Sequence, residues 1–404
     1  MLQPKTISKI AIALAMAGAL AGTAQASGFQ LFEQNGAGVG DYHAGGAAEA
    51  VDASTAWYNP AGLTRIKSQQ MVTGVVGVDT HIPYKGTVEV DPAGLPAGAK
   101  VAANAQGGNF AAVPFFYYAL PINDRWAFGL SVNAPFGLKT DYGSNTYLRF
   151  AATKTGLTVL DVSPNFAFQV NKVVSVGFGL DFQYMQGTFD QYAQGGDVPQ
   201  DDTRSKNTGD DTAFGYHAGI LFQFTPQTRV GAAFHSQVIH RMTGTSKFVG
   251  PLANGGDGGV QKSNNLKATI VIPPFAVFSA FHRFNSKWAI LGSATYTKWD
   301  AFKHIHLHNV ESIDDGLDAT LSNIMVVEDY KNTWNFALGA HYTPVEKWTI
   351  KAGLGYDQSP TRGRTRNVQL PGQDRIAVST GVHYQVLQKL GLDVGYTHLF
   401  IRRA

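Results

Sequence analysis

The chain has 404 residues, no cysteine, 44% hydrophobic but only 15% charged residues, and a formal net charge of +3. This excludes disulfides, thiolate metal sites and the basic footprint of a nucleic-acid binder. It also lacks any run of about 18 consecutive apolar residues, so no transmembrane helix is expected and the apolar content has to be distributed by alternation.

The N-terminus reads as an export signal. Lys5 and Lys9 are followed by the apolar run Ile10 to Ala21 and the small-x-small site Ala24-Gln25-Ala26. Residues 1–26 are therefore expected to be removed, leaving Ser27 first and lowering the net charge from +3 to +1 with the loss of those two lysines. A chain exported without disulfides and rich in glycine and aromatics suits a bacterial outer membrane. Residues 27–68 are small, polar and rich in Gly and Ala, with too little apolar content to fold alone. They read as a hatch plugging the lumen of a barrel formed by residues 69–404, so the chain should move something across a membrane.

The barrel signal is period two. In 174–184, Val174, Val176, Phe178, Leu180, Phe182 and Tyr184 alternate with Ser175, Gly177, Gly179, Asp181 and Gln183. The segments 213–224 and 348–357 repeat the pattern. Large aromatics on one face and Gly, Asp and Gln on the other fit a lipid-facing outside and a polar lumen. Short turns recur at Pro121–Asp124, Val170–Lys172, Thr225–Gln227, Phe284–Ser286, Thr343–Glu346 and Leu387–Lys389, each with a basic residue at or beside it. Trp126, Trp288 and Trp348 follow three of them, as at a periplasmic rim with its aromatic girdle. The longer polar stretches 186–212 and 244–265, the latter holding the Gly-rich tract Asn254–Gly259, read as extracellular loops. Six turns join twelve strands, and a first strand near 70–82 makes thirteen. Bacterial single-chain barrels have an even number, and the chain stops at Ile401-Arg402-Arg403-Ala404, so a last strand is expected to be missing.

Several segments break the alternation. The third strand, Arg125 to Tyr142, is interrupted by Ala134-Pro135-Phe136-Gly137. Pro cannot donate to a ladder and Gly relaxes it, so either a kink opens the wall or the strand ends there. The second strand, Phe110 to Leu120, is apolar on both faces, suiting an apolar ligand or packing on the hatch. Pro273-Pro274, inside Thr269–Phe284, is a second strand defect or, as the preferred reading, only the entry from loop to strand. His304, His306 and His308 share one strand face, either as a polar loop base or as metal ligands. Arg362, Arg364 and Arg366 read as a solvated loop or a site for lipopolysaccharide phosphates. No G-x-S-x-G, H-E-x-x-H or phosphate loop is present, and no enzyme activity is expected.

The ordered set Gly28-Phe29-Gln30-Leu31, Asn59-Pro60-Ala61, Pro121-Ile122-Asn123-Asp124, Phe136-Gly137-Leu138-Lys139-Thr140, Asp357-Gln358-Ser359-Pro360 and Pro371–Arg375 resembles the FadL/TodX family of outer-membrane transporters. That resemblance implies an all-β fold: a transmembrane antiparallel β-barrel of the fourteen-stranded FadL type, thirteen strands being readable here, with an N-terminal hatch in its lumen. It implies capture of long-chain fatty acids or other hydrophobic small molecules at extracellular loops, passage to a pocket near the mature N-terminus, and sideways exit at the third-strand kink. The site residues it implies are Phe29 and Leu31 at the pocket, and Asn59, Pro60 and Ala61 facing a kink made by Pro135, Phe136 and Gly137. The expected partners are the hydrophobic ligand, outer-membrane lipid, lipopolysaccharide and the outer-membrane assembly machinery. A monomer with no cofactor and no nucleic acid is expected. Uptake of aromatic hydrocarbons or alkanes and a non-transport adhesive role stand as alternatives.

Overall fold

Alternation along the strands sets which way each side chain points. In the computed structural model, which describes residues 28–90, 99–195, 199–256, 258–313 and 321–401, Val176, Phe178, Leu180, Phe182 and Tyr184 are exposed while Ser175, Asp181 and Gln183 are buried. This inverts the arrangement of a water-soluble sheet and matches a wall with lipid outside. The expected export signal, 1–26, lies outside the described residues.

Among the described residues the wall has thirteen strands, from Gln70–Asp79 to Leu390–Ile401. Consecutive strands pair antiparallel, beginning with Gln70–Asp79 on Phe110–Pro121 and ending with Arg375–Leu387 on Leu390–Ile401. Five strands are split: the third into Trp126–Asn133 and Gly137–Asp141, the seventh into Thr228–His235 and Val238–Gly250, and the eighth into Gly259–Ile272 and Phe275–Arg283. The ninth divides into Trp288–Thr297 and His304–Glu311, and the tenth into Leu321–Val327 and Thr333–Val345.

The short turns have a common local cause. Asn123, Asn171 and Asn285 each accept, through Oδ1, from the backbone amides two and three residues ahead, at 2.8–3.0 Å. An Asn side chain closing its own turn this way fixes a tight reversal without glycine. The tryptophans that follow lie half-exposed against aromatics on the next strand: Trp126 on Phe168 at 4.6 Å, Trp288 on Tyr342 at 4.5 Å and Trp348 on Tyr384 at 4.3 Å. They form one girdle at this rim.

Three expectations are corrected. The stretch 186–212 is mostly ladder: Val174–Ala193 and Thr203–Gln223 stay paired up to Ala193 opposite Thr203. Likewise Val238–Gly250 and Gly259–Ile272 occupy most of 244–265. Strands this long outrun the hydrocarbon layer, which needs about 9–11 residues. Above it both faces can be polar, so the apolar signal fades while the ladder continues. Pro273-Pro274 does not mark the entry from a loop; it divides the eighth strand, whose two parts pair with different segments of the seventh. Nor is the lumen polar throughout. Val238, Met242, Leu266, Ile270, Ile305 and Leu307, on the upper parts of strands seven to nine, are buried in the same apolar cluster as Phe29 and Phe136.

The lower lumen holds residues 28–69, built from short helices at Gly36–Val39, Gly46–Glu49 and Thr55–Tyr58 and a 3-10 helix at Pro60–Arg65. The glycines that the sequence places on the polar face are the surface on which these lie. A Cβ on Gly353 would meet the Asp41 backbone, one on Gly231 the Ala47 carbonyl, and one on Gly177 the Pro60–Ala61 peptide. Hatch and wall are in backbone contact that only glycine permits. Polar pins complete the fit: Asp41 pairs with His341 at 2.6 Å, Arg229 donates to the Ala48 and Glu49 carbonyls, and Thr397 donates to the Val39 carbonyl at 2.7 Å.

Candidate functional site

The site is built on the third strand. Asn133 pairs with Asp161 and Gly137 with Thr158, so residues 134–136 stand opposite only two residues of the fourth strand. One extra residue in a ladder is a β-bulge, and it re-aims the side chain it carries. Pro135 has no amide to leave unpaired. Phe136 is swung inward and is 1% exposed.

The bulge also ends pairing on the other edge. The second and third strands are laddered only from Pro121 opposite Ala127 up to Phe116 opposite Val132. Above that level Phe110–Phe115 pair with the first strand alone, and Gly137–Asp141 with the fourth alone. The two edges meet again where the Asp141 amide donates to the Gly107 carbonyl at 2.9 Å and Asn109 Nδ2 to the Lys139 carbonyl. The wall thus contains a bounded window without a ladder. The kink expected from Ala134–Gly137 is present, and the strand resumes beyond it.

From inside, the start of the hatch covers this window. The Leu31 amide donates to the Pro135 carbonyl at 2.9 Å and the Gly137 amide to the Phe29 carbonyl at 2.8 Å, making an antiparallel bridge between Gln30 and Phe136. Leu31 rests on Gly137, where a Cβ would lie 3.1 Å from its Cδ1. Below, Asn133 Nδ2 donates to Gln34 Oε1 at 2.8 Å and Tyr117 Oη to the Gln34 carbonyl at 3.0 Å. Both bonds are buried and tie the hatch to both lips of the window.

Phe29, fully buried, is the centre of an aromatic cluster. Its ring centroid lies 5.8 Å from Phe136, 5.0 Å from Trp299 and 5.1 Å from Phe302. Tyr330 caps the last two at 5.6 and 5.2 Å. Trp299 and Phe302 come from the break in the ninth strand and Tyr330 from the break in the tenth, so three interruptions converge on one residue of the hatch. Trp299, Phe302, Tyr330, Gln34 and Asn133 belong to the site without being expected from the sequence, and Tyr117 is expected from it only as an apolar lumen residue. The interruption Lys298–Phe302, with two aromatics three residues apart inside an alternating strand, was the available signal.

The expected site residues fall into two groups. Phe29, Leu31, Pro135, Phe136 and Gly137 come together at the window. Asn59, Pro60 and Ala61 do not face the kink. Asn59, 0% exposed, donates through Nδ2 to the carbonyls of Ala47 and Ile220 at 2.6 and 3.0 Å, and accepts from the Ala61 amide at 3.1 Å. Pro60 and Ala61 lie on Gly177 of the fifth strand. The tripeptide satisfies buried backbone groups of the hatch and the wall at once, which fixes it against strands five and six.

Beneath the aromatic cluster, between Leu31 and the wall, is a cavity lined by Gln30, Gln34, Trp57, Phe275 and Asn335 among others. A second space lies on the other side of His43 and Tyr58 and carries Asp41, Glu49 and Asp52. Burial holds the His43 imidazole down, to about 4, with Lys351 adding to the effect and Asp41 opposing it. Burial raises the Glu49 carboxyl, opposed by His341 and Lys351.

Asp181, His217 and His235 bring three donor atoms within 4.8 Å of one another. The imidazoles, however, are stacked, 4.7 Å apart and 14° from parallel, whereas a shared metal has to lie in the plane of each ring. His217 instead pairs with Asp181 at 2.6 Å and turns Nε2 to the Ala56 carbonyl of the hatch. His304, His306 and His308 alternate with buried Ile305 and Leu307, so they share the outward face. Arg362 and Arg364 are held by Asp329, and Arg366 reaches Gln373.

Comparison with known proteins agrees with this architecture. Residues 17–404 match the family model described as outer membrane protein transport protein (OMPP1/FadL/TodX). The chain is 30% identical to outer membrane protein P1 of Haemophilus influenzae, over 94% of this chain and 87% of that one. It is 29% identical to a long-chain fatty acid transport protein of Escherichia coli, over 96% and 90%. The crystal structure of a Pseudomonas aeruginosa FadL homologue superposes with a TM-score of 0.80 at 27% identity, over 93% and 91%.

Proposed function

The chain belongs to the OMPP1/FadL/TodX family of outer membrane transport proteins, a β-barrel transporter of the outer membrane and no enzyme, and from that premise we propose that it takes up long-chain fatty acids or similar hydrophobic molecules and releases them sideways through the window between its second and third strands. The observation that carries this reading is the coincidence of three features at one level of the wall: the missing ladder, the inward Phe136, and a hatch segment seated on it by two backbone hydrogen bonds. Phe29, Leu31, Pro135, Phe136 and Gly137 form the gate, and Asn59, Pro60 and Ala61 hold the hatch beside it.

The physical motive is desolvation. An apolar chain gains about 0.8 kcal/mol per CH₂ on leaving water. An axial aqueous channel would forfeit that gain, whereas a side exit into lipid keeps it. Displacing Leu31 and Phe29 from Pro135 and Gly137 opens the window without breaking a wall ladder.

The test is to straighten the strand. Replacing Pro135 with Thr and Gly137 with Val lets the ladder close. Uptake of labelled oleate by cells should be abolished while the purified barrel keeps its β-sheet circular dichroism and heat-modifiable mobility. Uptake at the original rate in a folded variant would refute the side exit.

A further inference from the structure

The geometry points to an uncharged hydrogen-bonding head group, such as an alcohol or an un-ionised acid, as what the cavity below the window selects, with His43 and Tyr58 as its specificity-determining residues. This rests on the transport reading and narrows it. The cavity is lined by hatch and wall residues together. Its upper wall is apolar: Leu31, Phe32, Phe275 and Val277. Its floor is polar but carries no Lys or Arg.

At that floor three buried side-chain atoms lack a hydrogen-bond partner among the described residues: His43 Nε2, Tyr58 Oη and His235 Nδ1. All three residues line the cavity. Unpaired buried polar atoms are costly and uncommon in folded proteins. A ligand hydroxyl, which both donates and accepts, would satisfy two of them. His43 and Tyr58 stand together, ring centroids 5.3 Å apart, and separate this cavity from the space holding Asp41, Glu49 and Asp52.

A carboxylate would fare badly there. Burying an anion without a cation is strongly unfavourable. The His43 imidazole is kept neutral by burial. The wall side chains beyond it are already engaged: His341 with Asp41 and Glu49, Lys351 with Asp393 and the Ala37 carbonyl. The acids across the His43–Tyr58 pair add repulsion. An uncharged head avoids both terms and leaves its chain against the apolar upper wall, toward Phe29 and the window.

The purified full chain in detergent can be titrated with an ω-brominated dodecanol, the matching dodecanoate and bromododecane at about pH 8.5, reading bromine quenching of Trp57, which lines the cavity. Trp57→Phe identifies that part of the signal. The alcohol should bind at least about 10-fold more tightly than the carboxylate. Tyr58→Phe, which keeps the ring and the fold, and His43→Asn should each weaken the alcohol about 3–10-fold and leave bromododecane unchanged. Equal affinity for alcohol and carboxylate, or an alcohol affinity indifferent to both substitutions, overturns the head-group assignment while leaving transport intact. Absence of quenching by all three probes overturns the site; if cells expressing the chain also fail to accumulate labelled oleate, the transport reading falls with it.

Discussion

The two ends of the hatch meet the wall in different ways. Gly28–Gln34 reaches the broken third strand through two backbone hydrogen bonds, an aromatic cluster and one buried amide triad. Asn59–Leu63 is set directly onto wall glycines, with Asn59 bonded on three sides and no space between backbones. On the proposed reading the first contact is exchanged for a ligand, because a hydrophobic chain can replace the side chains of Phe29 and Leu31 at little net change in buried apolar area. The second cannot be, because nothing else fits where two backbones touch. A gate needs one end that yields and one that does not, and the difference lies in whether side chains or main chains make the contact.

The comparison breaks most severely at the rigid end. Gly177→Leu places a side chain in the Pro60–Ala61 backbone, with no flexible atom to move aside. Overpacking of this kind should cost about 3 kcal/mol or more, unseating the hatch. Planar-bilayer recordings should then show a conducting pore where the parent is closed, and a closed variant would remove the rigid-anchor argument. Asn59→Ala is expected next. It strips partners from the Ala47 and Ile220 carbonyls inside the protein and should cost about 2–3 kcal/mol. Hydrogen exchange in 55–65 should speed up strongly, while the strands keep their protection.

This difference was only half legible in the sequence. Period two and the Asn-closed turns expose the strands, because each is a local property of about ten residues. Pro135 and Gly137 expose the break for the same reason. Where Phe136 points is not local: a bulge of one residue reverses the face, and its partners, Phe29, Trp299 and Phe302, lie on three separate segments. Asn59-Pro60-Ala61 was recognised but placed at the wrong end, since a buried Asn can serve any pair of carbonyls and only the fold chooses Ala47 and Ile220. Gly177, Gly219 and Gly353 looked like a merely polar lumen face; a glycine shows that something is close and not what it is.

The yielding end responds to smaller changes. Gln34→Leu leaves the Asn133 amide without its principal partner, while the Tyr117 hydroxyl keeps the Gln34 carbonyl, at a cost of about 1–2 kcal/mol. The amides of Leu31 and Gly137 should exchange faster with residues 55–65 unaffected, and oleate uptake should rise. Faster exchange at both ends would show that the hatch moves as one piece.

The smallest expected effect is a dependence on pH, in which two groups of the hatch act in opposite directions. Burial lowers His43 from 6.5 to about 4. The docked hatch therefore binds its proton more weakly than the released one, and the stability present above about pH 6.5 is lost as pH falls toward 4. At about pH 5.5 the loss is on the order of 1 kcal/mol. Glu49 is raised by burial, so its contribution is fully present below its unfolded value and is lost as pH rises through the docked one. Asp41 and Lys351 face both groups, and His341 faces Glu49. With both groups intact the two trends oppose each other as pH falls from about 6.5 toward 4. His43→Asn, whose side chain tolerates the left-handed backbone at φ 53°, should uncover the Glu49 trend, with hatch amides better protected at the lower pH. Glu49→Gln should uncover the His43 trend, with protection falling as pH falls. Exchange measured across that range, corrected for intrinsic rates, separates the two by sign. Shifts of the same sign in both variants would mean that another group at this floor governs how the hatch is held.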